Sequence, residues 1–255
     1  MLKFSVILPS YAEADNLQSL LPRLMTIAKE HLISYEIIVV DKHASTDQSQ
    51  SLCERLGVRY INRHPTNCYG DAVKTGLKEA RGRYLIFMDS DGSHPPEFIP
   101  TLIKDIDHYD LLIASRYIPG GFTENNIALV WMSKILNLVY SKLLNIPCHD
   151  ISNSFRVYRQ EQLSCLSFYC HHFDIIQEIL FSMIYTYPQL RIKEVPFTFR
   201  KRLYGESKRS MVVFILSYFK TLIKLFLIYR IAKQSIIKRL PFIKYFYREQ
   251  NKDQT

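Results

Sequence analysis

Asp89-Ser90-Asp91 is a point where residue type and spacing suggest chemistry, because it follows the apolar run Tyr84–Met88 directly. Two carboxylates at i and i+2 of an extended segment point the same way. Both can then approach one divalent cation and the phosphates it carries. Most such triplets are solvated turns, and the position after a buried strand is what makes this one a candidate. Basic residues recur in the second half of the chain, at Arg116, Arg156, Arg200, Lys201, Arg202, Lys208 and Arg209. Guanidinium groups match phosphate oxygens bidentately. The run from Arg202 to Lys208 stands out because it mixes those cations with a glycine and small polar residues.

Other chemistries are disfavoured. The glycine-flanked stretch from Gly70 to Gly82 lacks the GK[ST] of a P-loop, and no GxGxxG follows the first apolar run. Neither a G-x-S-x-G nor a Ser-His-Asp order occurs. Five cysteines (Cys53, Cys68, Cys148, Cys165, Cys170) form no CxxC pair and read as free thiols in a reducing compartment. Cys165, Cys170, His171 and His172 fit no common zinc spacing and read as a buried or loop-end cluster.

The elements that must position these residues follow from hydrophobic pattern. Phe4–Leu8, Tyr35–Asp41, Val58–Asn62, Tyr84–Met88 and Asp110–Ser115 read as strands. Asp15–Glu30, Thr46–Leu56, Asp71–Ala80 and Pro96–Asp107 read as helices. Ser45 and Thr46 are cap candidates for the second helix, and Gly82 is a stop for the third. Strands alternating with helices predict an α/β fold built on a mostly parallel sheet. Ligands of such sheets sit at the C-terminal strand ends, where Pro9, Asp41 and Asp89 all fall.

The 255 residues suit one large domain with an appendage. Hydrophobic residues at 47% and charged residues at 22% exclude a disordered or fibrous chain. The net charge of +9 is uneven: residues 191–255 carry +12 and residues 1–190 carry −3. That is not the pattern of a general nucleic-acid binder; it suits a body whose basic end meets an anionic surface or ligand. We therefore divide the chain into a domain over 1–209 and a basic amphipathic tail over 210–255. Met211–Ile228 reads as the only stretch of near-spanning length. Lys220, Lys224 and Ser217 share one face of it, which suits a helix in the membrane interface, or one docked on the domain, better than a crossing. No secretory signal precedes the first strand, so a cytoplasmic setting is expected.

In order along the chain, the motifs resemble glycosyltransferase family 2 with its GT-A fold, and within it the polyprenyl-phosphate (dolichol-phosphate) mannosyltransferases. The carrying residues are Pro9-Ser10-Tyr11-Ala12-Glu13, Asp41, the Gly70 loop, Asp89-Ser90-Asp91, Ser115-Arg116-Tyr117, Asp150 to Arg156, Glu178, Glu194 to Pro196, and Arg202 to Lys208. The resemblance implies a Rossmann-like sheet and a nucleotide sugar as donor, GDP-mannose first and a UDP-hexose second. It implies a polyprenyl or dolichyl phosphate as acceptor, and Mg2+ or Mn2+ as cofactor. Pro9, Tyr11 and Glu13 would line the base and ribose, and Asp41 would contact the base. Asp89, Ser90 and Asp91 would hold the donor diphosphate, with Asp89 and Asp91 on the metal. Arg116, Arg156, Arg202 and Lys208 would cover the anionic groups, and Glu178 would lie near the acceptor. With the basic amphipathic tail and no secretory signal, a place on the cytoplasmic face of a membrane is expected, with a separate membrane-anchoring subunit as a further partner. The chain departs from the family pattern in reading Asp41-Lys42-His43-Ala44-Ser45 where Asp-Asp-Gly-Ser is usual, and in carrying Ser93 where a longer ligand sometimes stands. Two alternatives stay open. One is transfer to a glycan or lipopolysaccharide hydroxyl, with Glu178 or Asp150 as base. The other is a non-catalytic binding subunit.

Overall fold

Apolar, β-branched runs near the N-terminus pair side by side, since each can bury both faces only between helices. The computed structural model describes residues 2–205 and 210–234. Its first half runs β1 (Phe4–Pro9), α1 (Ala14–His31), β2 (Tyr35–Asp41), α2 (Ser49–Leu56), β3 (Arg59–Asn62), α3 (Tyr69–Glu79), β4 (Tyr84–Phe87), α4 (Ile99–Leu102) and β5 (Leu111–Ser115). The second half runs β6 (Phe122–Thr123), α5 (Ile127–Leu144), β7 (Arg156–Arg159), α6 (Gln160–Leu163), α7 (Ile175–Thr186), β8 (Ile192–Pro196), β9 (Thr198–Phe199) and α8 (Met211–Gln234). Seven strands form one sheet in the order β3-β2-β1-β4-β7-β5-β8, while β6 and β9 form a small ribbon. Only β7 runs antiparallel to its neighbours in the large sheet.

Alternation along the strands divides the core in two. Ile7, Ile38, Val40, Leu85, Phe87 and Ile113 pack on the side of α3, α5, α7 and α8. Val6, Leu8, Val39, Ile86, Leu112 and Ala114 pack on the side of α1, α2 and α4. Because β2 follows β1 on one side and β4 flanks it on the other, the strand order reverses at β1. That reversal opens a crevice beyond Pro9 and Phe87.

Several elements differ from the sequence expectation. The second helix starts at Ser49 rather than Thr46, with Gln48 at its N-cap and no side-chain cap. The Asp47 carboxylate accepts the Ser49 N–H at 3.0 Å and the Ala14 N–H at 2.9 Å, which holds the preceding residues as a turn. The helix expected over Pro96–Asp107 is a 3-10 turn and one α turn, followed by i→i+3 bonds as far as His108. Pro100 removes a backbone donor that a helix running on from Pro96 would need, whereas Pro96 itself sits at the start, where none is required. Gly82 is not a left-handed helix stop, since α3 ends at Glu79 with Ala80 extended. Its role is close approach: a Cβ there would lie 2.5 Å from the Phe4 carbonyl carbon and the Ser5 nitrogen of β1.

Met211–Ile228 is not the only long apolar stretch. Both Ile127–Leu144 and Val212–Ile231 are long and apolar enough to cross a membrane by length and composition, and little of either is buried, 17% and 28% respectively. The two helices pack on each other. Phe214, Tyr218, Thr221, Leu225 and Ile228 turn α8 onto the body. Polar bonds pin that face: Tyr140 OH donates to the Tyr218 carbonyl at 2.6 Å, and Thr221 Oγ1 to Asp174 Oδ2 at 2.5 Å. The other face leaves Ile215, Leu216, Phe219 and Ile223 exposed, and α5 likewise exposes Ile127, Trp131, Ile135 and Leu138. Gly82→Ala is expected to destabilise the fold by about 1–3 kcal/mol, because the added methyl meets backbone that cannot yield without moving β1; urea unfolding of the two proteins measures it.

Candidate functional site

The loop after β1 is set by a carboxylate beneath it. Asp41, fully buried at the end of β2, accepts the Ala12 N–H at 2.8 Å and the Tyr60 hydroxyl at 3.1 Å. Ala12 has a φ of 51°, a conformation such a bond helps to hold. Asp41 thus shapes the Pro9–Glu13 turn from below and does not line the cavity that the turn borders. Ser90 donates to the Pro9 carbonyl at 3.1 Å and so ties the β4 end to the β1 end.

Asp89 and Asp91 follow β4 and both face that cavity. Asp89 Oδ1 accepts from Ser154 Oγ at 2.9 Å and from the Tyr69 hydroxyl at 3.3 Å, and its N–H donates to His94 Nδ1 at 2.9 Å. Asp91 Oδ1 accepts the Ser93 N–H at 3.0 Å and the Ser93 hydroxyl at 2.6 Å. The Gly92 turn has φ +83°, and Leu203 packs where a side chain on it would go. Burial first, and the Asp91 charge after it, push the Asp89 carboxyl above the ordinary carboxylate value, although His94 opposes this.

Arg116, just past β5, is held on both nitrogens by Asp150, at 2.7 Å from Nε and 2.7 Å from Nη2. The Arg116 N–H adds a third bond to Asp150 at 2.9 Å. Burial opposes the charge on Asp150, but the Arg116 guanidinium outweighs it and keeps the carboxyl low. Arg202 pairs with Glu13 at 2.7 and 2.9 Å. Its neighbour Leu203 donates its N–H to the Asp91 carbonyl at 2.9 Å, and Tyr204 donates to Asn16 at 2.9 Å. The 200–205 segment therefore straps the β1 loop to the Asp91 turn.

These features surround a cavity of about 610 Å³. Of the residues expected from the sequence, Pro9, Tyr11, Glu13, Asp89, Ser90, Asp91, Arg116 and Arg202 line it. Arg156 does not: it is fully buried, and its guanidinium donates to the Ile151 carbonyl at 2.6 Å and the Ile176 carbonyl at 3.2 Å. Glu178 does not either, being fully buried in α7 and accepting the Tyr169 and Cys170 N–H groups at 2.9 and 2.8 Å. Lys208 lies outside the described residues. The sequence reading missed Arg63, Asn67 and Tyr69 on the polar side, and Leu129, Met132 and Leu136 of α5 with Val213 and Phe214 of α8 on the apolar side. The largely apolar 127–144 stretch that forms α5 was the available signal for its three residues, while Val213 and Phe214 fall in the apolar stretch already read over Met211–Ile228. Among the described residues no group of three or more His, Cys, Asp or Glu side chains is placed to hold a metal. In the Cys165–His172 cluster, Cys165 is exposed, Cys170 is buried and His171 pairs with Asp71 at 2.8 Å.

Comparison with known proteins places this arrangement. The family model described as glycosyl transferase family 2 matches residues 5–167. A dolichol-phosphate mannosyltransferase of Pyrococcus furiosus is 35% identical over 216 residues, covering 81% of this chain and 59% of that protein. The chain thus spans about three fifths of that relative's length. A dolichol-phosphate mannosyltransferase of Saccharomyces cerevisiae is 30% identical, covering 96% of each chain. A polyprenol monophosphomannose synthase of Mycolicibacterium smegmatis is 31% identical, covering 80% of each. Among solved structures, glucosyl-3-phosphoglycerate synthase from Mycobacterium tuberculosis, crystallised with Mn2+, UDP and glucosyl-3-phosphoglycerate, superposes with a TM-score of 0.66 at 19% identity, covering 89% of this chain and 79% of that one. The fold is therefore GT-A-like, and the chain belongs to glycosyl transferase family 2.

Proposed function

We propose that this protein moves a hexose, mannose by preference, from a nucleotide sugar such as GDP-mannose to a polyprenyl or dolichyl phosphate. The observation that carries the reading is one cavity with two halves. Asp89, Asp91, Arg116 and Arg202 line one side, and apolar side chains of α5 and α8 line the other. A phosphate on an isoprenoid chain needs both. The names of the relatives from P. furiosus and S. cerevisiae point the same way.

The residues present fit a divalent cation. Asp89 and Asp91 offer hard oxygen donors, the kind Mg2+ and Mn2+ prefer. Among the described residues Asp91 Oδ2 carries no hydrogen bond, and the raised Asp89 carboxyl is one that a nearby positive charge would relieve. When bound, such an ion stabilises charge on the leaving nucleoside diphosphate. The chain's own groups do the rest. The 200–205 strap and Tyr11 hold the donor, and Arg116 and Arg202 offset the negative charge that gathers where two phosphates meet. An acceptor phosphate oxygen forms the bond to the anomeric carbon as the bond to the donor diphosphate breaks on the opposite face, which inverts that carbon. The acceptor is already ionised at neutral pH, so no general base is needed. Neither carboxylate considered as a base for a hydroxyl acceptor is available: Asp150 is spent on Arg116, and Glu178 on the 169–170 backbone.

Membrane association is part of the reading. The exposed faces of α5 and α8 are apolar, with Lys134, Lys142, Lys220 and Arg230 among the exposed residues. Such a surface suits the boundary between headgroups and acyl chains, on the cytoplasmic side in our reading, beside the apolar half of the cavity. A separate anchoring subunit is then optional.

Asp91→Ala is expected to abolish transfer from GDP-mannose to a polyprenyl phosphate and to remove the Mn2+-dependent rise in melting temperature with GDP, while the far-UV spectrum stays unchanged. Wild-type turnover in this variant would refute the cation role. In co-sedimentation with anionic lipid vesicles, Trp131→Glu combined with Phe219→Glu is expected to leave the protein in the supernatant, whereas the wild type pellets. Asp150→Asn is expected to cost about 3–5 kcal/mol at neutral pH, since it leaves a buried guanidinium unpaired. The Asp150 carboxyl is depressed in the folded state, so its contribution is present above the unfolded value of about 3.9 and is lost as pH falls through the folded one. The gap between the two proteins in urea unfolding should therefore close in acid.

A further inference from the structure

The cavity leaves the Glu194-Val195-Pro196 motif without a role, since none of the three lines it. On β8, Glu194 lies in register with Ile113 of β5, two residues before Ser115. Its Oε1 accepts Ser115 Oγ at 2.8 Å and the Asp150 N–H at 2.9 Å. Its Oε2 accepts the His149 N–H and the His149 Nδ1 proton, both at 2.9 Å. A carboxylate offers about four lone-pair sites, so these bonds leave none for a substrate. Ser115 comes just before Arg116 in the chain, and His149 just before Asp150. One carboxylate thus ties the segment that carries Arg116 to the segment that carries its counterion.

A guanidinium has five N–H donors in one plane. In Arg116, Nε is spent on Asp150, and Nη2 on Asp150 and on Ser152 Oγ at 2.8 Å. Among the described residues Nη1 makes no hydrogen bond, so its N–H groups are the end of Arg116 left for a ligand. The bidentate pair fixes the plane, and where Asp150 moves, Nη1 follows. Ser152 Oγ in turn lies 3.2 Å from Ser133 Oγ of α5, and Met132 and Leu136 of that helix line the cavity. Arg116 therefore stands on the α5 side of the cavity, while Arg202 stands with Glu13 on the β1-loop side.

We infer that Glu194 is a positioning residue for the acceptor. Through Ser115, His149 and Asp150 it fixes the direction in which Arg116 presents Nη1, and those donors meet the phosphate of a long-chain phosphomonoester. The inference rests on the transfer reading above and adds to it a residue that touches neither substrate.

Steady-state transfer by the full chain, with GDP-mannose, a polyprenyl phosphate and Mn2+, tests it, and melting temperature checks folding. Glutamine keeps the size of Glu194 but has one acceptor oxygen, so its NH2 must face donors on one side. Glu194→Gln should raise the KM for polyprenyl phosphate about tenfold and leave the KM for GDP-mannose unchanged, since displacing a positioned group by about an ångström can cost up to about a hundredfold. A merely structural role would lower the apparent kcat through the folded fraction and move neither KM. In an Arg116→Lys background, adding Glu194→Gln should raise the acceptor KM no further, because residues acting through one set of contacts are not additive. If Glu194→Gln does not melt cooperatively, Ser115→Ala carries the test. It removes one donor to Glu194 and should raise the acceptor KM about threefold. An unchanged acceptor KM, equal rises for both substrates, or additivity with Arg116→Lys would overturn the inference. A wild type that transfers no mannose to polyprenyl phosphate would instead remove the transfer reading, and this inference with it.

Discussion

Two like charges held close together at the end of a strand are costly to keep, and most of the local structure around Asp89 and Asp91 is there to keep them. Ser154 and Tyr69 donate to one carboxylate and Ser93 to the other. Ser90 anchors the intervening residue to β1, and His94, stacked on Phe155 with ring centres 4.9 Å apart, receives the Asp89 N–H. These bonds come from four parts of the chain. A sheet whose strand order reverses at β1 is what brings them to one place.

A second layer of organisation separates charge from hydrocarbon. Arg116 is paired with Asp150 and lies 4.9 and 5.5 Å from the ring centres of Tyr117 and Phe199, so a guanidinium is fixed in place beside the cavity. Across from it, α5 and α8 bring apolar side chains to the rim and continue as apolar outer faces. The bonds from Tyr140 and Thr221 stop α8 from leaving with whatever its outer face touches.

How much of this could be read in advance depended on whether a residue's surroundings are local. β1, β2 and β4 were legible because continuous apolar runs and their ends are properties of neighbouring residues. The Asp89–Asp91 pair was legible for the same reason. Asp41, Arg156 and Glu178 were recognisable by type and order, yet their side chains turn inward to bind backbone that lies distant in sequence or in an adjoining loop. Only the tertiary fold decides that. β7 escaped notice because its four residues, Arg-Val-Tyr-Arg, begin and end on charges that the fold buries. α5 carries Asn137, Lys134 and Lys142 among its apolar residues, which obscures its length when the sequence is scanned for unbroken runs.

The Glu13–Arg202 pair has a consequence for turnover. The guanidinium at the lip of the site already holds a carboxylate of the same chain, so any anion reaching it arrives by exchange and not by filling an empty place. Exchange subtracts the strength of the internal pair from the affinity of the newcomer, and it returns that strength when the newcomer leaves. In the proposed transfer, which would release a nucleoside diphosphate after each cycle, Glu13 is a displacing agent carried by the same chain.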